Sequence, residues 1–252
     1  MSASIFKKVC QISLGTTLSL LSVTTGNSAF AATIFDNGTP DLEAALLSDF
    51  NPVIYQIDEE NYITGQPQAA DDFTLSSDAN TITNIQWWGI YDAEENSPIG
   101  ADDFTIRIFE DAGGSPTINP WLESNIGDIG RVVTGNKLNE YNVFEYQATI
   151  SPLSLTPNTT YWLSIINKTQ SDSNYRWYWL TSASQGNSYY RFNEGEMWTE
   201  LSNEDPEFAA ELAFQLNDDS TQVPEPASVF GLLALGAFGS GSVLKRNCKR
   251  KS

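Results

Sequence analysis

The chain has 252 residues, of which 32 are Asp or Glu, 13 are Lys or Arg and none is His. Without histidine, no Ser-His-Asp triad, no Cys-His nucleophile pair and no histidine-ligated zinc or haem can be assembled. The formal net charge of −19 excludes nucleic acid as a partner, because phosphates call for clustered Lys and Arg. Cys10 and Cys248 stand at opposite ends, which argues against a thiolate metal site.

The first segment reads as a secretory signal peptide over residues 1–31. Lys7 and Lys8 form a basic start, Val9 to Val23 is mostly apolar or small, and Ala29-Phe30-Ala31 has the small-x-small cleavage pattern. Cleavage after Ala31 would remove Cys10. Between Ala32 and Gln222 stand six basic residues against 31 acidic ones, so the body is strongly anionic. Such a body repels its own copies and anionic lipid surfaces, and its natural counter-ions are cations, calcium among them.

Residues 32–217 read as one β body. Asp41 to Phe50, opened by Pro40, is the one segment with a helical pattern. Ala70-Asp71-Asp72-Phe73-Thr74-Leu75 is echoed 31 residues later by Ala101-Asp102-Asp103-Phe104-Thr105-Ile106, as two similar strand openings. Trp87 and Trp88, adjacent on a strand, must point to opposite faces. Phe104 to Phe109, Tyr161 to Ile166 and Phe208 to Leu216 alternate with period two, the mark of half-buried strands. Turn residues separate such runs at Asp111 to Pro116, Thr156 to Asn158, Gln185 to Asn187 and Asn193 to Gly195. About ten short strands without βα units predict an all-β, jelly-roll-like β-sandwich ectodomain.

Three groups of residues could carry function. The acidic pairs Asp71-Asp72, Asp102-Asp103 and Asp218-Asp219, with Glu59, Glu60, Asp92, Glu94 and Glu95, are candidates for calcium, which takes six to eight oxygens. Neighbours on a strand face opposite ways, so each pair offers at most one inward ligand, and a solvated negative surface is the plainer reading. No metal or other cofactor is expected with any specificity. Carboxylates also admit a glycosidase, but no spacing singles out a pair. Tyr175, Trp177 and Trp179 share one face of a strand; such a row could stack on sugar rings, or pack in the core as Trp and Tyr commonly do. Trp88, Trp162 and Trp177 as a group are expected in the core. Asn37, Asn158 and Asn167 head N-x-Thr tripeptides, a pattern common by chance.

The tail, residues 218–252, begins with a polar spacer and then Pro224-Glu225-Pro226. Ala227 to Leu244 follows, 18 residues without a charge, and then Lys245, Arg246, Lys249, Arg250 and Lys251. As a helix that run is about 27 Å long, close to the roughly 30 Å of bilayer hydrocarbon. It predicts a transmembrane helix over 227–244 with its basic anchor held on the cytoplasmic side. Together these features resemble the PEP-CTERM sorting signal of bacterial exported proteins. The resemblance implies an exosortase-type enzyme as partner, recognising the tripeptide. The body also looks, loosely, like β-sandwich ectodomains common among PEP-CTERM proteins, which carries no activity with it.

The expectation is therefore an exported, non-enzymatic protein of the cell envelope or extracellular matrix, structural or adhesive. It would be held at the membrane by its C-terminal helix or released after processing. A carbohydrate-binding surface module meeting extracellular polysaccharide is the alternative reading, and an envelope glycoside hydrolase a third.

Overall fold

The computed structural model describes residues 32–50, 53–56, 62–92, 100–168, 175–184, 186, 188–204 and 210–218. The expected signal peptide, the sorting tail from Asp219 onward with its 227–244 span, and Glu59, Glu60, Glu94 and Glu95 lie outside the described residues. Among the described residues no helix is long and apolar enough to cross a membrane.

The body is built from strands β1 (Ala32–Asp36), β2 (Pro40–Leu47), β3 (Val53–Gln56), β4 (Tyr62–Gly65), β5 (Gln68–Thr74), β6 (Thr81–Tyr91), β7 (Phe104–Glu110) and β8 (Leu122–Gly127). They continue as β9 (Val132–Leu138), β10 (Tyr141–Ser154), β11 (Thr160–Asn167), β12 (Trp177–Ser182), β13 (Tyr189–Arg191), β14 (Thr199–Glu200), β15 (Glu211–Leu212) and β16 (Phe214–Asp218), with one helical turn, α1 (Leu201–Glu204). The period-two runs at 104–109 and 161–166 are β7 and β11. The run expected at 208–216 is interrupted at Ala213, which divides β15 from β16; Phe208 lies outside the described residues.

Two antiparallel sheets face each other as a β-sandwich. In the eight-stranded sheet the order is β1-β16-β6-β10-β9, and β12 joins β6 while also pairing with β2 and β15. β6 is long enough to take β16 along Asn84 to Trp87 and β12 along Gly89 to Tyr91 on one side, with β10 on the other. The six-stranded sheet runs β14-β13-β5-β11-β7-β8, and β3 and β4 form a separate hairpin. The two echoed segments feed β5 and β7, which flank β11 on either side.

Between the sheets lies a core dominated by aromatic rings. Trp87 stacks on Tyr146 at 5.6 Å, while Phe104 meets Trp87 edge-on at 5.2 Å and Trp177 at 5.3 Å. Trp88 turns to the opposite face, as adjacency requires, and is buried there in a smaller cluster with Ile90, Val143 and Leu180. The outer face of this sheet is thus apolar around Trp88, while Gln147 and Thr149 of β10 stay exposed.

The helix expected over Asp41 to Phe50 is a correction: most of that segment is β2. It pairs with β12, with Leu47 opposite Tyr178 and Leu46 opposite Trp179. The Thr181 hydroxyl donates to Ala44 O at 2.9 Å, and Leu42 takes a positive φ of 63° within the strand. A short segment gains little from helix propensity alone, so partner strand and core decide its form.

Candidate functional site

The aromatic row expected to meet sugars lies inside. Trp177 and Trp179 do share a face of β12, but it is the inner face, and both side chains are fully buried in the main core. Trp179 Nε1 donates to Ala213 O at 2.9 Å, and Tyr175 packs half-buried against the same core. The row is corrected from ligand platform to core, because alternation states which residues share a face and not whether that face is wet. Trp88, Trp162 and Trp177 are all buried, as expected of that group.

Asp71-Asp72, in β5, divides as strand geometry demands, and Asp102-Asp103, in the stretch just before β7, divides in the same way. Asp71 and Asp102 are buried, whereas Asp72 and Asp103 are half-buried. Asp71, Asp72 and Glu211 each bring a carboxylate oxygen within 4.8 Å of the others. Asp71 Oδ2 accepts from Leu212 N and from Asn37 Nδ2 (3.0 Å), Asp71 Oδ1 accepts from Asp72 N at 2.9 Å, and Asn37 Nδ2 also reaches Glu211 Oε2 at 3.0 Å. Burial, then the hydrogen bond and negative charge of Glu211, push the Asp71 carboxyl well above the usual carboxylate range. These three are the residues that could hold a cation. Asp71 and Glu211 stand as a carboxyl pair bridged by the Asn37 amide.

Asp102 anchors a second buried network. It accepts from the Tyr91 hydroxyl and from Asn167 Nδ2 (2.8 Å); Tyr146 donates to Tyr91 at 3.1 Å, and Arg131 Nε lies 3.5 Å from the other carboxylate oxygen. Burial raises the Asp102 carboxyl, offset by the two hydrogen bonds and Arg131. The network ties β6 and β10 of one sheet to Asn167 of β11 in the other. Of the three asparagines in N-x-Thr tripeptides, Asn37 and Asn167 are thus buried in hydrogen bonds; Asn158 is exposed in a turn at φ 54°.

On the outer face of the six-stranded sheet, two buried guanidiniums converge on one amide oxygen. Arg191 Nε and Nη2 and Arg107 Nη1 donate to Gln68 Oε1 at 3.0, 2.8 and 3.2 Å. Arg107 is neutralised by Glu123 and Glu194, at 2.7 and 3.1 Å. Burial, then the neighbouring Arg107 charge, lowers Arg191 to about 10. Arg191 lies 4.4 Å under the centroid of the Trp198 ring and donates to Ile118 O at 2.7 Å.

That arginine supports an open groove of about 560 Å3, walled by the connection from Glu110 to Trp121 and by Met197 and Trp198. The connection is held firmly. Asp111 accepts from Gly113 N and Gly114 N at 3.0 Å, where φ values of 86° and 94° require glycine. Thr117 N reaches Glu110 O at 3.0 Å, Trp121 N reaches Ile108 O at 2.8 Å, and Trp198 Nε1 reaches Thr117 O at 3.0 Å. On this frame Ile118, Trp121 and Met197 stay 45%, 50% and 79% exposed. A smaller depression shares Glu110 with it and runs over Asp111, Thr159 and Thr160 beside Tyr161, and a third, beside Trp162 and Tyr189, joins that one through Asp111 and Thr160. Sequence reasoning missed this region. Its legible signal was a tryptophan, Trp121, standing directly after Pro120 in a turn-rich stretch instead of in a strand pattern.

Comparison with known proteins adds four findings. Residues 50–125 match a domain of unknown function, DUF7901, a span that holds the Asp71-Asp72 and Asp102-Asp103 pairs and the Trp121 loop. No curated protein matches the chain significantly. Two solved structures match part of the chain: the cysteine protease and lectin-like domains of Cwp84, a surface layer associated protein of Clostridium difficile, and the clostridial cysteine protease Cwp84 after propeptide cleavage. They are 10% and 11% identical, with TM-scores of 0.42, over 68% of this chain in each case. This chain spans about two fifths of their length, 37% and 41%. At the other end, residues 222–247 match the PEP-CTERM protein-sorting motif, so the chain carries the sorting signal of exported, envelope-associated proteins behind an all-β body.

Proposed function

We propose that this is an exported, non-enzymatic surface protein, structural or adhesive, whose β-sandwich body serves in the cell envelope or extracellular matrix. The PEP-CTERM motif at residues 222–247 carries the reading. The signal peptide of residues 1–31 would take the chain across the membrane. The apolar run 227–244 would halt in the bilayer, and Lys245, Arg246, Lys249, Arg250 and Lys251 would resist passage. Pro224-Glu225-Pro226 then stays extended outside, with two fixed φ angles and two missing donors, where an exosortase-type enzyme acts on it. The absence of histidine in the sequence and the locking of the buried carboxylates into hydrogen bonds both support a body without catalysis.

Mass spectrometry of the mature protein, recovered by cell fractionation, tests this. The expected species starts at Ala32, is found in the envelope or medium, and is anchored by or trimmed near Pro224-Glu225-Pro226. An intact 252-residue chain recovered from the cytosol would overturn it. The carbohydrate-binding reading has its own supporting observation in the exposed Trp121 groove.

A further inference from the structure

We infer that the groove over the Glu110 to Trp121 connection is a binding trough for an uncharged polysaccharide chain. The inference deepens the adhesive reading above and rests on it.

Ile118, Trp121 and Met197 together present an exposed apolar patch along one groove, on a loop whose backbone is fixed by its own hydrogen bonds, and a contiguous patch of this kind marks a binding surface. The Trp121 amide donates to Ile108 O at 2.8 Å, which fixes the backbone the ring projects from, and the ring rests tilted against Tyr161 at 6.2 Å. The Trp198 ring is equally fixed, clamped between Thr117 O and the buried Arg191. Rigid aromatic faces that need no reordering on binding lose little entropy when a ligand arrives. Flat apolar C–H faces of pyranose rings fit such surfaces, and hydroxyls at the ring edges need acceptors.

The acceptors are present. Glu110 lines the groove and is exposed, and Asn119 and Thr117 line the same wall. Two further depressions carry the surface past Asp111, Thr159 and Thr160 to Tyr189, beyond one sugar, while Tyr161 and Trp162 beside them are buried. The openness of this arrangement suits a chain running across it more than a small molecule enclosed on all sides.

Charge selects the chemistry. Among the described residues no Lys or Arg lines the three depressions, and Arg191 is covered by Trp198. Glu110 and Asp111 at the junction, on a body of net negative charge, repel uronate or sulfate polymers. A neutral polyol satisfies both the carboxylates and the rings.

The test is native affinity electrophoresis of the detergent-solubilised full chain. Gels contain hydroxyethylcellulose, xyloglucan, dextran or starch as neutral probes, and alginate as the anionic one. The expected result is retardation by at least one neutral polymer and none by alginate, unchanged in 1 M sodium chloride, where the Debye length is about 3 Å. Trp121→Ala should weaken it at least tenfold. Met197→Ala, which removes an almost fully exposed side chain, should weaken it without any change in melting temperature, whereas Val133→Ala on β9 should have no effect. Absence of retardation in every neutral gel, retardation by alginate, loss of binding in high salt, or undiminished binding by Trp121→Ala would each overturn the inference. The processed ends seen by mass spectrometry are read independently, so an exported protein that fails every gel leaves the export reading standing and removes this one.

Discussion

Gly89 lies directly beneath the indole of Trp177: a methyl group at position 89 would stand 2.3 Å from Trp177 Nε1 and 2.6 Å from Cε2. β6 and β12 pair along this stretch, with Gly89 opposite Trp179, and the missing side chain lets the Trp177 ring cross the sheet face. The glycine is needed for space, since its φ is not in the left-handed region. Gly89→Ala should therefore cost about 3 kcal/mol, the upper part of the usual range for overpacking a closed core. Urea unfolding of the variant checks this; an unchanged midpoint would show that the indole moves aside freely.

Trp179→Ala distinguishes a core ring from a ligand platform. Truncating a fully buried tryptophan costs roughly 3–5 kcal/mol, and here Ala213 O also loses its donor. Against a total stability of about 5–15 kcal/mol, the variant should be marginal or unfolded. Circular dichroism and thermal melting read this out. A variant with wild-type stability would return the Trp177–Trp179 face to the surface.

The Asp71–Glu211 pair makes stability depend on pH. Its raised value means Asp71 binds a proton more tightly in the fold than in the unfolded chain, where the carboxyl titrates near 3.9. The stabilisation from protonated Asp71 is fully present below that unfolded value. It is lost as pH climbs through the raised folded value, so this pair makes the protein less stable toward neutral pH. In Glu211→Gln the neighbouring charge is gone and an amide can donate to ionised Asp71. The acid-to-neutral loss should shrink by about 1 kcal/mol, or roughly 2–4 °C in a domain of this size. Calorimetric melting at a series of pH values measures the two slopes, and identical slopes would show that the pair is not linked.

Millimolar calcium should shift the melting temperature by less than about 1 °C, because this ion wants six to eight oxygens free to turn toward it. At Asp71, Asp72 and Glu211 the N–H groups of Asn37 and Leu212 already point at the inner oxygens, and would face a cation with positive charge. A rise of several degrees, lost in Glu211→Gln, would show that the pair opens to take the ion.

The order of the chain's parts was readable without coordinates. Greasy ends around an acidic body, Pro-Glu-Pro before an uncharged run, and period-two alternation at 104–109 and 161–166 are local patterns, and local chemistry sets their meaning. The alternation also settled that Trp87 and Trp88 diverge and that Asp71 and Asp72 divide between faces. Tertiary structure decided the rest. Asp41 to Phe50 became a strand because β12 offered it partners. Tyr175, Trp177 and Trp179 turned inward because the second sheet covers that face, and period two says nothing about which side is covered. Asn37 meets Glu211 across 174 residues, and Arg191 reaches back 73 residues to Ile118 O to brace the Trp121 groove. Such meetings depend on strand order and sheet packing, which no short window of residues encodes.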